Sequence, residues 1–312
     1  MAREHERRVH PRVHRPQLHS LNISSAEWAA LACALIWAAN GLLLRTQSEH
    51  VTPAAMNTIR CAVAGLAFWL ALPFDTTPLT GLLEVTLTEW GLLFAALSLG
   101  VALGDTLYLI AIKEIGVSRT MALTGTFPLT TLFWQTVLLD APFNPSLLLG
   151  ILLVGGGLFF LSRSSSGTIR PSHLKLGIVL SLLAALCWGF SATLLKPATT
   201  HMSAIQTNAV RMPLIALLLL LVRVLPSGNE TLRGIGWRSL CIVGGTGLLG
   251  MGLGAYLFIF AITQANPAKV VTLTSSSPLF GMLLAAIFLK EKITPQIALG
   301  MALCMAGVYA VI

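Results

Sequence analysis

The chain has 312 residues, 55% of them hydrophobic and 10% charged, with 20 Lys and Arg against 12 Asp and Glu for a formal net charge of +8. Soluble domains carry about 25% charged residues, so the polar surface here is too small to cover a particle in water, which excludes a soluble enzyme, a DNA-binding domain and a disordered chain. The mean hydropathy of +0.80 is that of a polytopic membrane protein, and about ten spans of roughly 20 residues use nearly the whole length.

In chain order the elements begin with a basic tail over 1–24. Five of the 20 basic residues, Arg3, Arg7, Arg8, Arg12 and Arg15, lie there, and most of the others fall in short connections. This placement serves orientation and lipid contact and argues against a nucleic-acid partner. The tail lacks the apolar run of a cleavable secretory signal. Its His5, His10, His14 and His19 sit among two prolines and polar residues, a composition of disorder more than of a metal site. Apolar runs bounded by charges, prolines or polar clusters then predict ten helices, over 27–45, 53–73, 88–112, 118–139, 146–162, 175–195, 203–225, 238–262, 268–289 and 295–312. The runs are too long and continuous for barrel strands, and helices satisfy their own backbone in lipid. The fold class is therefore all-α and polytopic. The cysteines (Cys33, Cys61, Cys187, Cys241, Cys304) are well separated, mostly inside these runs and without a CxxC, as expected of inert core residues and not of a disulfide framework.

The ten runs form two copies. Sliding the chain by 151 places Trp37 on Trp188, Asn57 on Asn208 and Arg60 on Arg211. Sliding it by 150 superposes 100–162 on 250–312 without a gap, with 16 identities in 63 positions, among them Gly100 with Gly250, Gly104 with Gly254, Thr124 with Thr274, Pro128 with Pro278, Gly150 with Gly300 and Gly157 with Gly307. The units are 25–163 and 175–312. Five spans per copy is an odd number, so the second copy enters the membrane from the opposite side. Inverted repeats of this kind are built into many secondary transporters.

The second copy ends SSSPLFGMLLAAIFLKEKITPQIALGMALCMAGVYAVI, with a proline in one helix, Glu291 just after it and a glycine-rich last helix. This resembles the closing segment of an EamA-type repeat of the drug/metabolite transporter superfamily. Arg60 and Arg211 stand where that family often has an Arg in the second helix of each repeat, and Trp37 and Trp188 resemble its first-helix Trp. The resemblance covers about 27–312. The first copy departs from the pattern, because Asp140-Ala141 replaces the expected Gly-Glu. The resemblance implies a ten-helix carrier of small metabolites or drugs and leaves the substrate open.

Ionisable groups inside apolar helices are costly, so each is a functional candidate. Arg60, Arg211 and Asp105 are the clear cases. Arg60 lies about 10 Å into its span at the helical rise, near enough to an end to snorkel. One acid cannot neutralise two arginines, and the surplus favours a substrate bearing a carboxylate or another anion. Asp105 aligns with Ala255; as a buried acid it is a candidate for proton coupling, or simply the partner of Arg60. Asn57 with Arg60, Asn208 with Arg211, Trp37 with Asn40 and Asp105 with Tyr108 are each three residues apart, hence on one helix face, and are expected to line a cavity with Trp188. Interhelical hydrogen bonding is the alternative for the asparagines. Gly100-x-x-x-Gly104 and Gly250-x-x-x-Gly254 read as close helix contacts. Pro128, Pro278 and Pro213 fall inside spans, where they kink a helix or free a carbonyl, and Thr124 and Thr274 could fill the freed positions or bind substrate.

Enzyme motifs are missing: there is no HExxH, no intramembrane Ser/His pair and no GxxxxGK[ST] loop. The expected function is therefore transport, not catalysis, with no cofactor and no bound metal. The partners are a small-molecule substrate and membrane lipids, and the protein is expected to be a monomer. An amino acid or related carboxylate, moved in the export direction by alternating access, is the leading substrate class. Proton-coupled efflux of cationic or amphipathic drugs is the alternative, and a channel or intramembrane enzyme ranks lower. The remaining Lys and Arg crowd the odd-numbered connections, which alone would put the tail outside. The basic tail and the resemblance put both termini in the cytoplasm, with the protein in the plasma or inner membrane.

Overall fold

The computed structural model describes residues 23–45, 51–115, 120, 123–164, 173–224, 234–288 and 294–312. Glu291 and nearly all of the basic tail, including its four histidines, lie outside the described residues.

Among the described residues all regular structure is helical. The helices are α1 (Ser25–Arg45), α2 (Pro53–Ala71), α3 (Leu87–Leu97), α4 (Asp105–Ile115), α5 (Phe127–Leu138), α6 (Pro145–Ser164), α7 (Leu174–Ala198), α8 (Ala204–Leu219), α9 (Trp237–Thr246), α10 (Ala255–Gln264), α11 (Pro267–Thr274), α12 (Ser277–Phe288) and α13 (Pro295–Val311). Among the described residues five helical stretches are long and apolar enough to cross a membrane: Ala54–Phe74, Leu87–Tyr108, Leu174–Ala198, Ala204–Val222 and Trp237–Gln264. Pro145–Leu161 and Pro295–Val311 are shorter apolar helices.

Helix starts follow local chemistry. Ser24 and Glu27 cap α1 reciprocally, Thr86 and Glu89 do the same for α3, and Ser203 and Gln206 for α8. Each Ser or Thr oxygen accepts an orphan N–H of the first turn while the Glu or Gln reaches back. α2 repeats the α8 start in reduced form: Thr52, 151 positions before Ser203, accepts from Ala55 N, and Pro53 opens the helix.

Two expected spans are not single helices. The run 118–139 is interrupted by a turn at 125–126, and 268–289 by a turn at 275–276. Pro128 and Pro278 then sit in the first turn of α5 and α12, so they start helices instead of kinking them. A proline lacks the N–H that a helix interior needs but loses nothing at the first turn. Thr124 and Thr274 bond back within their own segment, to Thr120 O at 2.9 Å and Val270 O at 3.0 Å. Of these three prolines only Pro213 stays inside a helix.

A π-helical stretch, Leu220–Val224, continues α8, and two other spans carry one at equivalent positions that the sequence pattern does not reveal. Ser98–Gly104 joins α3 to α4, and Gly247–Gly254 joins α9 to α10. Both contain the GxxxG motif, and both are where the copies cross. α1 packs on the second π stretch, α10, α11 and α12; α7 packs on α3, the first π stretch, α4 and α5. α2 packs on α8 and α6 on α13. Each of these contacts joins one copy to the other.

The crossing is equivalent on the two sides. A Cβ on Gly104 would fall 2.8 Å from the Trp188 ring, and one on Gly254 would fall 2.6 Å from Trp37 Nε1. Ser191 Oγ donates to Ala96 O at 2.8 Å. Asn40, its amide oriented by the hydrogen bonds around it, donates to Thr246 O at 3.0 Å. Position 191 is 151 beyond 40, and position 246 is 150 beyond 96.

Just past the C-cap of α5, Asp140 has φ 48°, in the left-handed region where glycine is at ease and Asp tolerated. This is where the family pattern has Gly. Asp140→Gly is expected to stabilise the protein by about 0.5–1 kcal/mol, read as a higher midpoint in thermal unfolding.

Candidate functional site

The α2 and α8 faces present matching pairs. Arg60 Nη1 donates to Asn57 Oδ1 at 2.9 Å, and Arg211 Nη1 donates to Asn208 Oδ1 at 3.3 Å. Beyond this the two copies diverge. Arg60 is 6% exposed, and its Nη2 donates to Asn40 Oδ1 at 2.7 Å. A Cβ on Gly247 would meet the Arg60 backbone at 2.8 Å. Arg60 and Asn40 thus belong to a polar knot that ties α1, α2 and α9 together at the crossing.

Arg211 borders a cavity instead. About 190 Å³ in volume, the cavity is lined by Trp37, Asn57, Asp105 and Arg211, with Cys61, Met212, Ile215, Met251 and Phe258 among its apolar walls. Four of the residues predicted from the sequence therefore meet at one space, drawn from α1, α2, α4 and α8. Trp37 lies against Phe258, ring centroids 5.5 Å apart, and its Nε1 donates to Gly250 O at 3.1 Å. That carbonyl belongs to the π stretch, where the altered hydrogen-bond register lets side chains reach backbone groups.

Trp188, the counterpart of Trp37, donates to Asp105 Oδ1 at 2.8 Å. Tyr108 packs against Trp188 with the rings tilted 51° and centroids 5.2 Å apart, and Phe127 meets it edge-on at 6.1 Å. Trp188 and Tyr108 therefore support the carboxylate from behind and do not line the cavity. Asn208 is buried and spends its amide on Ala204 O at 2.9 Å and Ala255 O at 3.3 Å. The Nε atoms of Arg60 and Arg211 are buried without a hydrogen-bond partner among the described residues. An arginine pinned through one Nη and open elsewhere is arranged to receive an anion in the planar, forked manner of guanidinium–carboxylate pairs.

A larger space lies at one end of the molecule. It has a volume of about 680 Å³ and is walled by Asp75, Lys196, Ser203, Tyr256 and Phe260 among others. None of these residues stood out in the sequence. Lys196 fell just beyond the predicted span 175–195, and its neighbour Pro197 reads as a helix stop although the helix runs through to Ala198. Across the same end, His201 Nδ1 and Glu89 Oε1 are 2.7 Å apart, Ser203 bonds Asp75, and Gln206 donates to Thr77 O at 3.1 Å. Lys269 pairs with Glu27. These contacts join the two copies.

Among the described residues there is no group of three or more His, Cys, Asp or Glu arranged to hold a metal, and all five cysteines are free thiols.

Known proteins resemble the chain along most of its length. The model of the EamA-like transporter family matches residues 24–163 and again 175–312. An uncharacterized transporter of Archaeoglobus fulgidus is 28% identical over 271 residues, covering 87% of this chain and 92% of its own length. The uncharacterized transporter YwfM of Bacillus subtilis is 29% identical over 286 residues, covering 90% and 91%. A protein of known crystal structure superposes with a TM-score of 0.76 over 92% of this chain and 96% of that one, at 16% identity, a likeness of fold.

Proposed function

The chain belongs to the EamA-like transporter family and is a multi-pass membrane protein, and from this premise we propose that it carries a small carboxylate, an amino acid or a close relative, by alternating access. In this reading ten spans form two inverted five-helix units that rock about the crossing of α1 and α7 with the partner copy's π stretches. Inverted units supply two exchangeable conformations around one site near the midplane.

The single observation that carries the reading is Arg211 on the wall of a cavity it shares with Asn57, Asp105 and Trp37. The guanidinium binds the substrate carboxylate, Asn57 contributes a hydrogen bond, and Trp37 covers the apolar part. Arg60, Asn40 and Asn208 act behind the wall, Arg60 bonded to Asn40 and Asn208 to Arg211 and to the carbonyls of Ala204 and Ala255. Export is the proposed direction and the plasma or inner membrane the proposed site, with cytoplasmic termini, a monomeric carrier and no enzymatic activity.

Radiolabelled counterflow in proteoliposomes tests this, with pooled amino acids in one arm and pooled organic cations in the other. Saturable counterflow of amino acids is expected. Asp105 favours a second reading, because a carboxylate on a cavity wall beside an indole is also a cation site. Under that reading cations exchange and Asp105→Asn abolishes the exchange. Under the carboxylate reading Asp105→Asn retains amino-acid counterflow and changes its pH dependence.

A further inference from the structure

The open space at the end of the molecule resembles the central cavity in its charge, Asp105 and Arg211 lining the one as an acid and a base line the other. It contains one acid and one base, Asp75 and Lys196. Asp75 is spent within the wall: Oδ1 accepts from Thr77 N at 3.1 Å and Oδ2 from the Ser203 hydroxyl. Lys196 is not spent. Its ammonium carries three donors, and among the described residues one of them is used, to Ala265 O at 2.6 Å. The ion pairs join Lys269 to Glu27 and His201 to Glu89, and among the described residues no carboxylate pairs with Lys196. Tyr256 and Phe260 lie on the same wall with rings nearly parallel, 22° and 6.3 Å apart, offering an apolar face beside the cation. At about 680 Å³ the space is of the size that takes small organic ligands.

The two cavities are in line. α8 contributes Ile205 to the outer one and Met212 to the inner, seven residues or about 10 Å apart along the helix. α10 likewise borders both, with Tyr256 on the outer and Phe258 on the inner. A ligand passing between them exchanges one cation, Lys196, for another, Arg211.

We propose that the outer space is a second binding station, for small carboxylates bearing an apolar side chain, with the Lys196 ammonium as its anion-binding group and Tyr256 and Phe260 as its apolar wall. The proposal rests on the transport reading for its purpose, loading the carboxylate before it reaches Arg211, but the binding itself is measurable without transport.

The test uses the full chain in lipid nanodiscs, with the exposed Cys241 replaced by Cys241→Ser and a reporter thiol introduced by Thr200→Cys on the outer wall. The rate of labelling by a charged maleimide is followed with 3-phenylpropionate as probe and 3-phenylpropan-1-ol as its uncharged counterpart. At roughly ten times its Kd the carboxylate is expected to slow labelling about tenfold by mass action, the alcohol leaving the rate unchanged. Lys196→Gln is expected to remove the protection and Lys196→Arg to keep it. Equal protection by the alcohol, no protection by the carboxylate, or protection surviving Lys196→Gln overturns the station. Protection in a protein that shows no counterflow would sink the transport reading alone, and carboxylate counterflow without protection would sink the station alone.

Discussion

Arg211→Ala is expected to leave a folded protein that no longer exchanges carboxylates, with counterflow reduced at least about a hundredfold. Truncating one partner of a buried charge pair costs about 2–5 kcal/mol, and two decades correspond to about 3 kcal/mol. Arg211→Lys keeps the charge and loses the fork, so a partial loss dominated by KM is expected. Arg60→Ala is the informative contrast. Arg60 is hydrogen-bonded to Asn57 and Asn40 and packed beneath Gly247, so its loss strands the buried Asn40 carbonyl at a cost of about 1–3 kcal/mol and frees the half-buried Asn57. The expected signature is a lower unfolding midpoint and poor yield, with residual counterflow in whatever protein folds. Equal folding defects in both variants, or full exchange in Arg211→Ala, would contradict the assignment.

The largest structural effect is expected at Gly157. Three glycines stand in a row in α6, yet they face different surroundings. A Cβ on Gly155 meets nothing within 4 Å, one on Gly156 reaches only Leu303 Cδ1 at 4.0 Å, and one on Gly157 falls 2.6 Å from Gly300 O and 2.8 Å from Cys304 N. Backbone atoms cannot rotate aside as a side-chain tip can, so Gly157→Ala must push α6 and α13 apart. The expected cost is about 1–3 kcal/mol, seen in denaturant titration of the purified protein. Gly155→Ala and Gly156→Ala should instead be neutral or stabilising by up to about 1 kcal/mol, because alanine restricts the unfolded chain and favours the helix. A flat response across the three positions would mean that α6 and α13 are not in contact in the protein.

How much of this was legible beforehand depended on whether the signal was local. Apolar runs gave the helical class, and near-constant offsets gave the two copies, because both are properties of the sequence alone. The glycine motifs predicted close contacts and found them, Gly104 under Trp188 and Gly254 under Trp37. That the same stretches are π-helical was not legible, since a shift from i−4 to i−5 bonding leaves no periodic mark over seven or eight residues. Pro128 and Pro278 were read as interruptions within helices, although a proline near a run's centre fits a fresh helix start equally well. The pairing of Asn57 with Arg60 followed from spacing. The divergent surroundings of Arg60 and Arg211 did not, because they depend on which helix of the other copy arrives overhead. Lys196 was missed because a lysine at the end of an apolar run looks like an interfacial anchor until the walls around it are known.

The π stretches also carry a history. Ser98–Gly104 and Gly247–Gly254 occupy the same register in their copies, and a π-bulge amounts to one extra residue accommodated in a helix. Two independent insertions at matching positions would be a coincidence, which argues that the bulge is older than the duplication. The offset between copies falls from 151 at Arg60 and Arg211 to 150 at Gly100 and Gly250, which places the one length change between those points along the chain and leaves the bulge itself untouched. The two halves differ by one residue in length between those points and by Asp105 against Ala255, yet both keep the irregular turn.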